Sequence, residues 1–217
     1  MLKAHSSIGV YLDLFHDWSL VILIFISFLV FSIILIFRIK RWCFKDLVEV
    51  HGLEFVWTVI PGIVLMLLVI PSLYGLFLLD LSGVCSPRRT VTVTGRQWYW
   101  SYSYVPYTLN NAKVRLSYDS FMKIDSGCDF RNLEVDCPLV IVASVLNRIL
   151  LRSSDVIHRF AIPQLGFKLD CVPGRLSQSY LRSYYLGTFY GQCSEICGAN
   201  HSFMPIRLEC VPRFEVI

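Results

Sequence analysis

Cys193, Cys197, His201 and Met204 lie in one short stretch, Gly191-Gln-Cys-Ser-Glu-Ile-Cys-Gly-Ala-Asn-His-Ser-Phe-Met-Pro205, with a C-x3-C-x3-H-x2-M spacing. Two thiols, an imidazole and a thioether form a soft ligand set. Such sets select copper, zinc or iron–sulfur, and a thioether favours copper. Gly191 and Gly198 are expected to let the backbone turn tightly enough for the four side chains to converge. Bland alternatives stand beside this reading. The two cysteines could bridge each other or bind zinc, His201 could be a core histidine, and Met204 could fill a gap. Beyond residue 80 the chain holds only His158 and His201, and only Met122 and Met204. Half of that small stock sits in this loop beside a Cys pair, which favours the metal.

A loop of this kind must be held by a framework, and the composition shows which kind. The chain has 217 residues, of which 55% are hydrophobic, and its mean hydropathy is +0.56. That is too apolar for an ordinary soluble protein and implies membrane segments. The net charge of +4 gives no case for nucleic acid. Eight cysteines in so long and apolar a chain do not read as a small disulfide scaffold. Those outside the loop (Cys43, Cys85, Cys128, Cys137, Cys171 and Cys210) read as filler.

Leu20 to Phe37 carries no charge, and its length suits a bilayer span, which needs about 20 apolar residues. Trp18 flanks it on one side, Arg38 and Trp42 on the other, as interfacial anchors. A second uncharged run goes from Phe55 to Leu79, interrupted by Pro61, Gly62, Pro71 and Gly75. The interruptions fit either a helix packed on protein or a frayed outer end. The predicted spans are about 18–38 and 54–80, in an N-terminal part running to residue 85. The basic connection Arg38–His51 should stay on the side of synthesis, with both ends of the hairpin opposite. The start lacks the features of a secretory signal or a transit peptide. Glu54, at the inner mouth of the second span, reads as a solvated interfacial acid or a proton entry point.

Residues 86–217 change character. Val91–Thr94, Gln97–Tyr104, Pro138–Val145, Asp155–Ile162, Gly166–Val172, Tyr184–Tyr190 and Ile206–Val211 read as short strands separated by turns. That pattern predicts an all-β sandwich or barrel. A copper loop wants a second imidazole, and His158 is the other histidine of this region. Two cysteines, rather than one, suggest thiolates bridging two metals instead of a mononuclear blue-copper site.

With these residues in hand, the sequence resembles subunit II of the haem–copper cytochrome c oxidases. The likeness spans the chain and is carried by Gly191–Pro205, Asp155–His158, Pro173–Gln178, the aromatic run Gln97–Trp100, and Trp57-Thr-Val-Ile-Pro. It implies a membrane α plus all-β fold: a two-helix transmembrane hairpin followed by a cupredoxin-like Greek-key β barrel holding a dinuclear copper centre. It makes Cys193 and Cys197 bridging thiolates, His158 and His201 imidazole ligands, Met204 a weak thioether ligand, and the Glu195 carbonyl a further ligand. It assigns the Glu195 carboxylate to magnesium at the interface with the catalytic subunit. Trp98 becomes the point of electron entry from cytochrome c, and Glu54 lies near a proton pathway.

The implied partners are cytochrome c, the haem-bearing catalytic subunit, other oxidase subunits and the bilayer. Cytochrome c is basic, and Asp119, Asp136 and Asp155 fall where the family carries acids for docking it. Asp119, Asp125, Asp129, Glu134 and Asp136 also form a local acidic excess that could steer a basic partner. Ser103 and Phe160 depart from the family's usual Glu and Trp. The implied location is the mitochondrial inner membrane, with both termini and the β domain in the intermembrane space. A bacterial plasma membrane is the other option. Rival readings are a quinol oxidase subunit lacking the ligands, a membrane-anchored copper chaperone, and a structural disulfide domain.

Overall fold

The computed structural model describes residues 4–41, 49–81, 86–104, 107–109, 112–114, 116–123 and 130–212. The chain divides into two compact units, Tyr11–Phe77 and the residues before and after it. Two long helices dominate the N-terminal half, α1 (Ser7–Lys40) and α2 (His51–Leu81). Both are long and apolar enough to cross a membrane. Their apolar side chains face outward all round: Phe28 is 70% exposed and Ile70 is 69% exposed, a cost in water that lipid removes. α2 runs unbroken through Pro61 and Pro71. Within this unit the Tyr11 hydroxyl donates to the Pro71 carbonyl at 2.6 Å, and a Cβ on Gly75 would come within 2.9 Å of the Tyr11 ring. Pro71 and Gly75 therefore serve helix-to-helix contact and the helix does not fray there, whereas a Cβ on Gly62 would meet nothing within 4 Å.

The second unit is built on β1 (Arg89–Arg96), β2 (Tyr99–Tyr104), β3 (Tyr107–Leu109), β4 (Ala112–Val114), β5 (Ser117–Ser120), β6 (Leu139–Val142), β7 (Asn147–Ser153), β8 (His158–Ile162), β9 (Phe167–Cys171), β10 (Ser177–Leu181), β11 (Gly187–Cys193) and β12 (Pro205–Val211). They form two five-stranded sheets, β10-β7-β1-β2-β5 and β6-β12-β11-β8-β9, with β3 and β4 pairing separately. The expected all-β domain is thus a two-sheet sandwich among the described residues. Period-two alternation sends Trp100, Tyr102 and Tyr104 of β2, and Ile149 and Leu151 of β7, into the core. From the other sheet Phe160, Ile162, Phe189, Ile206 and Leu208 meet them.

Two pairings are parallel, β1 with β7 and β12 with β6, and simple hairpin reasoning gives neither. The strand expected at Tyr184–Tyr190 starts later, at Gly187. The Ser183 hydroxyl donates to the Tyr185 carbonyl at 2.8 Å and accepts from the Tyr185 N–H at 3.2 Å, which fixes a turn and leaves Tyr184–Leu186 exposed. As a result β11 extends to Cys193 itself. Gly191 lies inside this strand and makes no turn. A Cβ there would lie 2.0 Å from the Ala161 carbonyl oxygen, so glycine is what lets β11 approach β8.

The start of the chain packs on this sandwich. The His5 N–H donates to Gln164 O at 2.8 Å, and Tyr184 N–H donates to His5 O at 3.3 Å. The Ser6 hydroxyl donates to Leu165 O at 2.7 Å and accepts from Gly9 N–H at 2.9 Å, capping the first turn of α1.

Fully buried Asn147 closes the β6–β7 turn by donating to Val142 O and Val145 O, both at 3.0 Å, and to Leu181 O at 3.3 Å. Its Oδ1 has no partner among the described residues, so truncation also relieves one orphan acceptor. Asn147→Ala should cost about 2 kcal/mol, roughly 1 kcal/mol for each of the two amide hydrogens that the three carbonyls share. Urea-dependent tryptophan fluorescence checks this, and an unshifted midpoint would contradict it.

Candidate metal centre

Two segments meet at one end of the sandwich. β8 opens with His158, and β11 ends with Cys193 beside it. The two strands are antiparallel, with Gln192 opposite Ala161 and Cys193 opposite Phe160. The loop then returns over the top through a short 3-10 turn at His201–Phe203 to β12.

The donor atoms come together. Cys193 Sγ lies 3.9 Å from His158 Nδ1 and 3.4 Å from the Glu195 carbonyl oxygen. Cys197 Sγ lies 3.5 Å from both His201 Nδ1 and Met204 Sδ. One nitrogen of His158 and the two sulfurs lie within 4.8 Å of one another. His158, Cys193, Cys197 and Met204 are buried, and His201 is half-buried. Both loop cysteines are free thiols, so the disulfide alternative does not hold in this structure.

Charge and hydrogen bonding prepare the donors. His158 Nε2 lies 2.8 Å from Asp155 Oδ1. Asp155 also accepts from the Gln97 N–H at 2.6 Å and the Val156 N–H at 2.7 Å. Partial burial works against its ionised form, but these bonds outweigh it and hold the carboxyl below its ordinary pKa. An ionised carboxylate only accepts, so Nε2 carries the proton and Nδ1 is left for a metal. Burial works against charge on His158 too, yet the bonds to Cys193 and Asp155 raise its pKa above the ordinary value. Cys193 is lowered despite burial, by His158 and by backbone N–H donors. Cys197 is pushed up to about 12 by burial and by the neighbouring Cys193 thiolate. These shifts favour a thiolate on Cys193 beside a protonated Cys197, and a cation between the two sulfurs would remove their repulsion.

The loop is clamped from β2 and the turn before it. The Gln97 amide donates to the Cys197 carbonyl at 2.7 Å, and the Trp100 indole donates to the Met204 carbonyl at 3.1 Å. Trp98 packs on the loop at Gly198, which holds φ +125. A Cβ there would lie 3.1 Å from Trp98 Cζ2 and 3.2 Å from Nε1. Its buried Nε1 has no hydrogen-bond partner among the described residues.

The remaining predicted residues fare unequally. Asp155, expected on a docking face, turns its carboxylate onto His158. Exposed Asp136 accepts from the Phe121 N–H at 2.7 Å and the Cys137 N–H at 2.6 Å, and Asp119 is exposed on β5. Glu134 does not join the acidic surface: it is buried, paired with Arg207 at 2.8 Å and bonded by the Tyr190 hydroxyl at 2.6 Å. Asp125 and Asp129 lie outside the described residues, as do Trp42, Cys43, Cys85 and Cys128. Glu54 accepts from the Val50 N–H at 3.4 Å at the start of α2 and lies 3.7 Å from His51. Sequence reasoning missed Gln97 and Asp155 as supports of the centre. The Asp-x-x-His spacing carried the second signal.

Known proteins resemble this chain over most of its length. The descriptions "Cytochrome C oxidase subunit II, periplasmic domain" and "Cytochrome C oxidase subunit II, transmembrane domain" match residues 89–211 and 1–74. The chain belongs to the cytochrome c oxidase subunit II family. The cytochrome c oxidase subunit 2 of Branchiostoma floridae is 42% identical over 98% of this chain and 90% of that protein. The Branchiostoma lanceolatum protein is 42% identical over 98% and 87%. The crystal structure of the periplasmic domain of subunit II of the cytochrome oxidase of Bradyrhizobium japonicum aligns at 41% identity with a TM-score of 0.51, covering 59% of this chain and 87% of that one. Family membership makes this a membrane-anchored subunit of an oxidoreductase complex, and its His-Cys-Cys cluster is compatible with copper.

Replacing Asp155 by Asn keeps the shape and removes the charge that orients His158. Metal affinity should fall by about 10- to 100-fold, read by chelator competition. The pKa of Asp155 is depressed in the folded state. Its contribution to stability is therefore complete above the unfolded carboxylate value and lost as pH falls through the folded one. The acid limb of the stability curve should flatten in Asp155→Asn, and an unchanged limb would contradict the role.

Proposed function

We propose that this chain is the electron-transfer subunit of cytochrome c oxidase, taking electrons from reduced cytochrome c and delivering them to the haem of the catalytic subunit for reduction of dioxygen to water. The observation that carries the reading is the convergence of His158, Cys193, the Glu195 carbonyl, Cys197, His201 and Met204 at one buried point. The thiols of Cys193 and Cys197, with the imidazoles of His158 and His201, the Met204 thioether and the Glu195 carbonyl, would hold two copper ions. Such a pair, when bound, supplies one-electron exchange with little rearrangement of its ligands.

The protein's own residues do the rest. Asp155 holds the imidazole of His158, while Gln97 and Trp100 hold the loop carbonyls, so the donors are fixed before an electron arrives. Burial of both thiols and of Met204 keeps out water and favours a retained centre over the labile site of a copper chaperone. Trp98, whose ring touches the loop at Gly198, is the proposed entry point for electrons. Asp119 and Asp136 remain candidates for steering a basic cytochrome c, and both are exposed. Asp155 serves that role less well, being engaged at the centre. Glu54 is proposed to lie near a proton entry, with its half-exposed carboxylate in support.

The compartment proposed is the mitochondrial inner membrane, with termini and β domain in the intermembrane space. The basic last turn of α1, Arg38 and Lys40, supports that orientation. Magnesium at the Glu195 carboxylate fits this chain poorly, because Arg159 Nη2 already lies 3.3 Å from Glu195 Oε2.

Copper-loaded protein should show one unpaired electron shared equally by two coppers in its paramagnetic resonance spectrum. Cys197→Ala should reduce the content to one copper with a localised signal. Uptake should weaken as pH falls, since Cys197 must lose a proton held with a pKa of about 12. A wild-type spectrum from a single localised copper would refute the reading.

A further inference from the structure

Arg159 follows His158 on β8, and strand alternation turns it to the opposite face, outward. Its guanidinium forks onto Asp170, its cross-strand partner on β9, with Nε on Oδ1 and Nη2 on Oδ2 at 3.2 Å. The same Nη2 lies 3.3 Å from Glu195 Oε2, in the metal loop. Its backbone carbonyl accepts from the Ser194 N–H at 3.0 Å. One residue thus grips the loop by main chain and side chain, and it takes up the two carboxylates nearest to it.

We propose that Arg159 is the resident cation of the Asp170–Glu195 pair and keeps a divalent metal ion off the Glu195 carboxylate. This rests on the reading of the chain as an oxidase subunit, in which magnesium is implied at that carboxylate. Magnesium binds through one or two carboxylates plus water in strict octahedral geometry. Here the planar fork matches Asp170, its Nη2 also lies 3.3 Å from Glu195 Oε2, and a guanidinium cannot lose its proton. Any dication on Glu195 would stand beside this guanidinium. A cleft of about 450 Å³ next to it adds Lys168 and Arg175 to Arg159, against the single acid Asp170. The local field repels a further cation. Arg159 thereby replaces a removable ion by a covalently attached one, and the metal loop stays tied to β9 whatever the supply of divalent metal.

The assembled oxidase, prepared from cells supplied with manganese and washed with EDTA, tests this through Mn2+ paramagnetic resonance and metal counting. Wild type should retain much less than one Mn2+ per complex at this position. Arg159→Ser should bind Mn2+ at least about tenfold more tightly, because the repulsion is gone and both carboxylates are free. Adding Glu195→Gln to Arg159→Ser should abolish the gain, which locates the ion. Wild type holding one EDTA-resistant Mn2+ that is lost in Glu195→Gln would overturn the proposal, and so would an Arg159→Ser complex with unchanged affinity. The wild-type measurement decides even if Arg159→Ser does not assemble. The copper spectrum of the same samples is read separately, so failure of the oxidase reading is distinguishable from failure of this one.

Discussion

Everything at the functional end of this protein depends on how β11 pairs with β8. Only Gln192–Ala161 and Cys193–Phe160 are in register, yet that short pairing sets Cys193 Sγ beside His158 Nδ1 across 35 residues of chain. A slip of one residue would turn Cys193 to the opposite face and take its sulfur away from the imidazole. The side-chain-free Gly191 makes the approach feasible, because the Ala161 carbonyl fills the space a Cβ would need. Behind the pair, Trp100 and Phe160 pack edge-on at 5.0 Å and give the strands a rigid floor.

Electrostatics then decide what the pocket wants. Two thiols and an imidazole, buried together, cannot all adopt their metal-binding protonation states without a cation. His158 and Cys193 stabilise each other as a charged pair, and burial together with the charge on Cys193 holds Cys197 protonated. One thiolate is thus favoured by the protein itself, and a bound cation would favour the second. Asp155 sets the imidazole tautomer that makes this workable. On the outer face of the same strand, Arg159 settles the charge of Asp170 and Glu195 in the opposite manner, with a cation that belongs to the chain.

Much of this was legible in the sequence, for physical reasons. Long uncharged runs have few fates besides membrane spans. The Cys-Cys-His-Met spacing is short enough that one turn must gather it, and His158 was the remaining histidine in the β region. What escaped notice depends on contacts between distant segments. The parallel pairings of β1 with β7 and of β12 with β6 leave no mark on local alternation. Glu134 reads as one more surface acid until Arg207, on β12, is found beside it. The docking role implied for Asp155 ignores a competition that His158 wins by proximity. Gly191 reads as a turn former, yet it serves as a strand residue at a crowded crossing.

The central proposal is that His158 and Cys193, set by the β8–β11 pairing, and Cys197 and His201 of the loop would together hold two copper ions. Extended X-ray absorption at the copper edge of the intact oxidase tests this most directly. The account predicts a sulfur and nitrogen shell around copper together with a copper–copper scattering path, the latter lost in Cys197→Ala. A shell of nitrogen and oxygen alone, or sulfur scattering without a second copper, would contradict it.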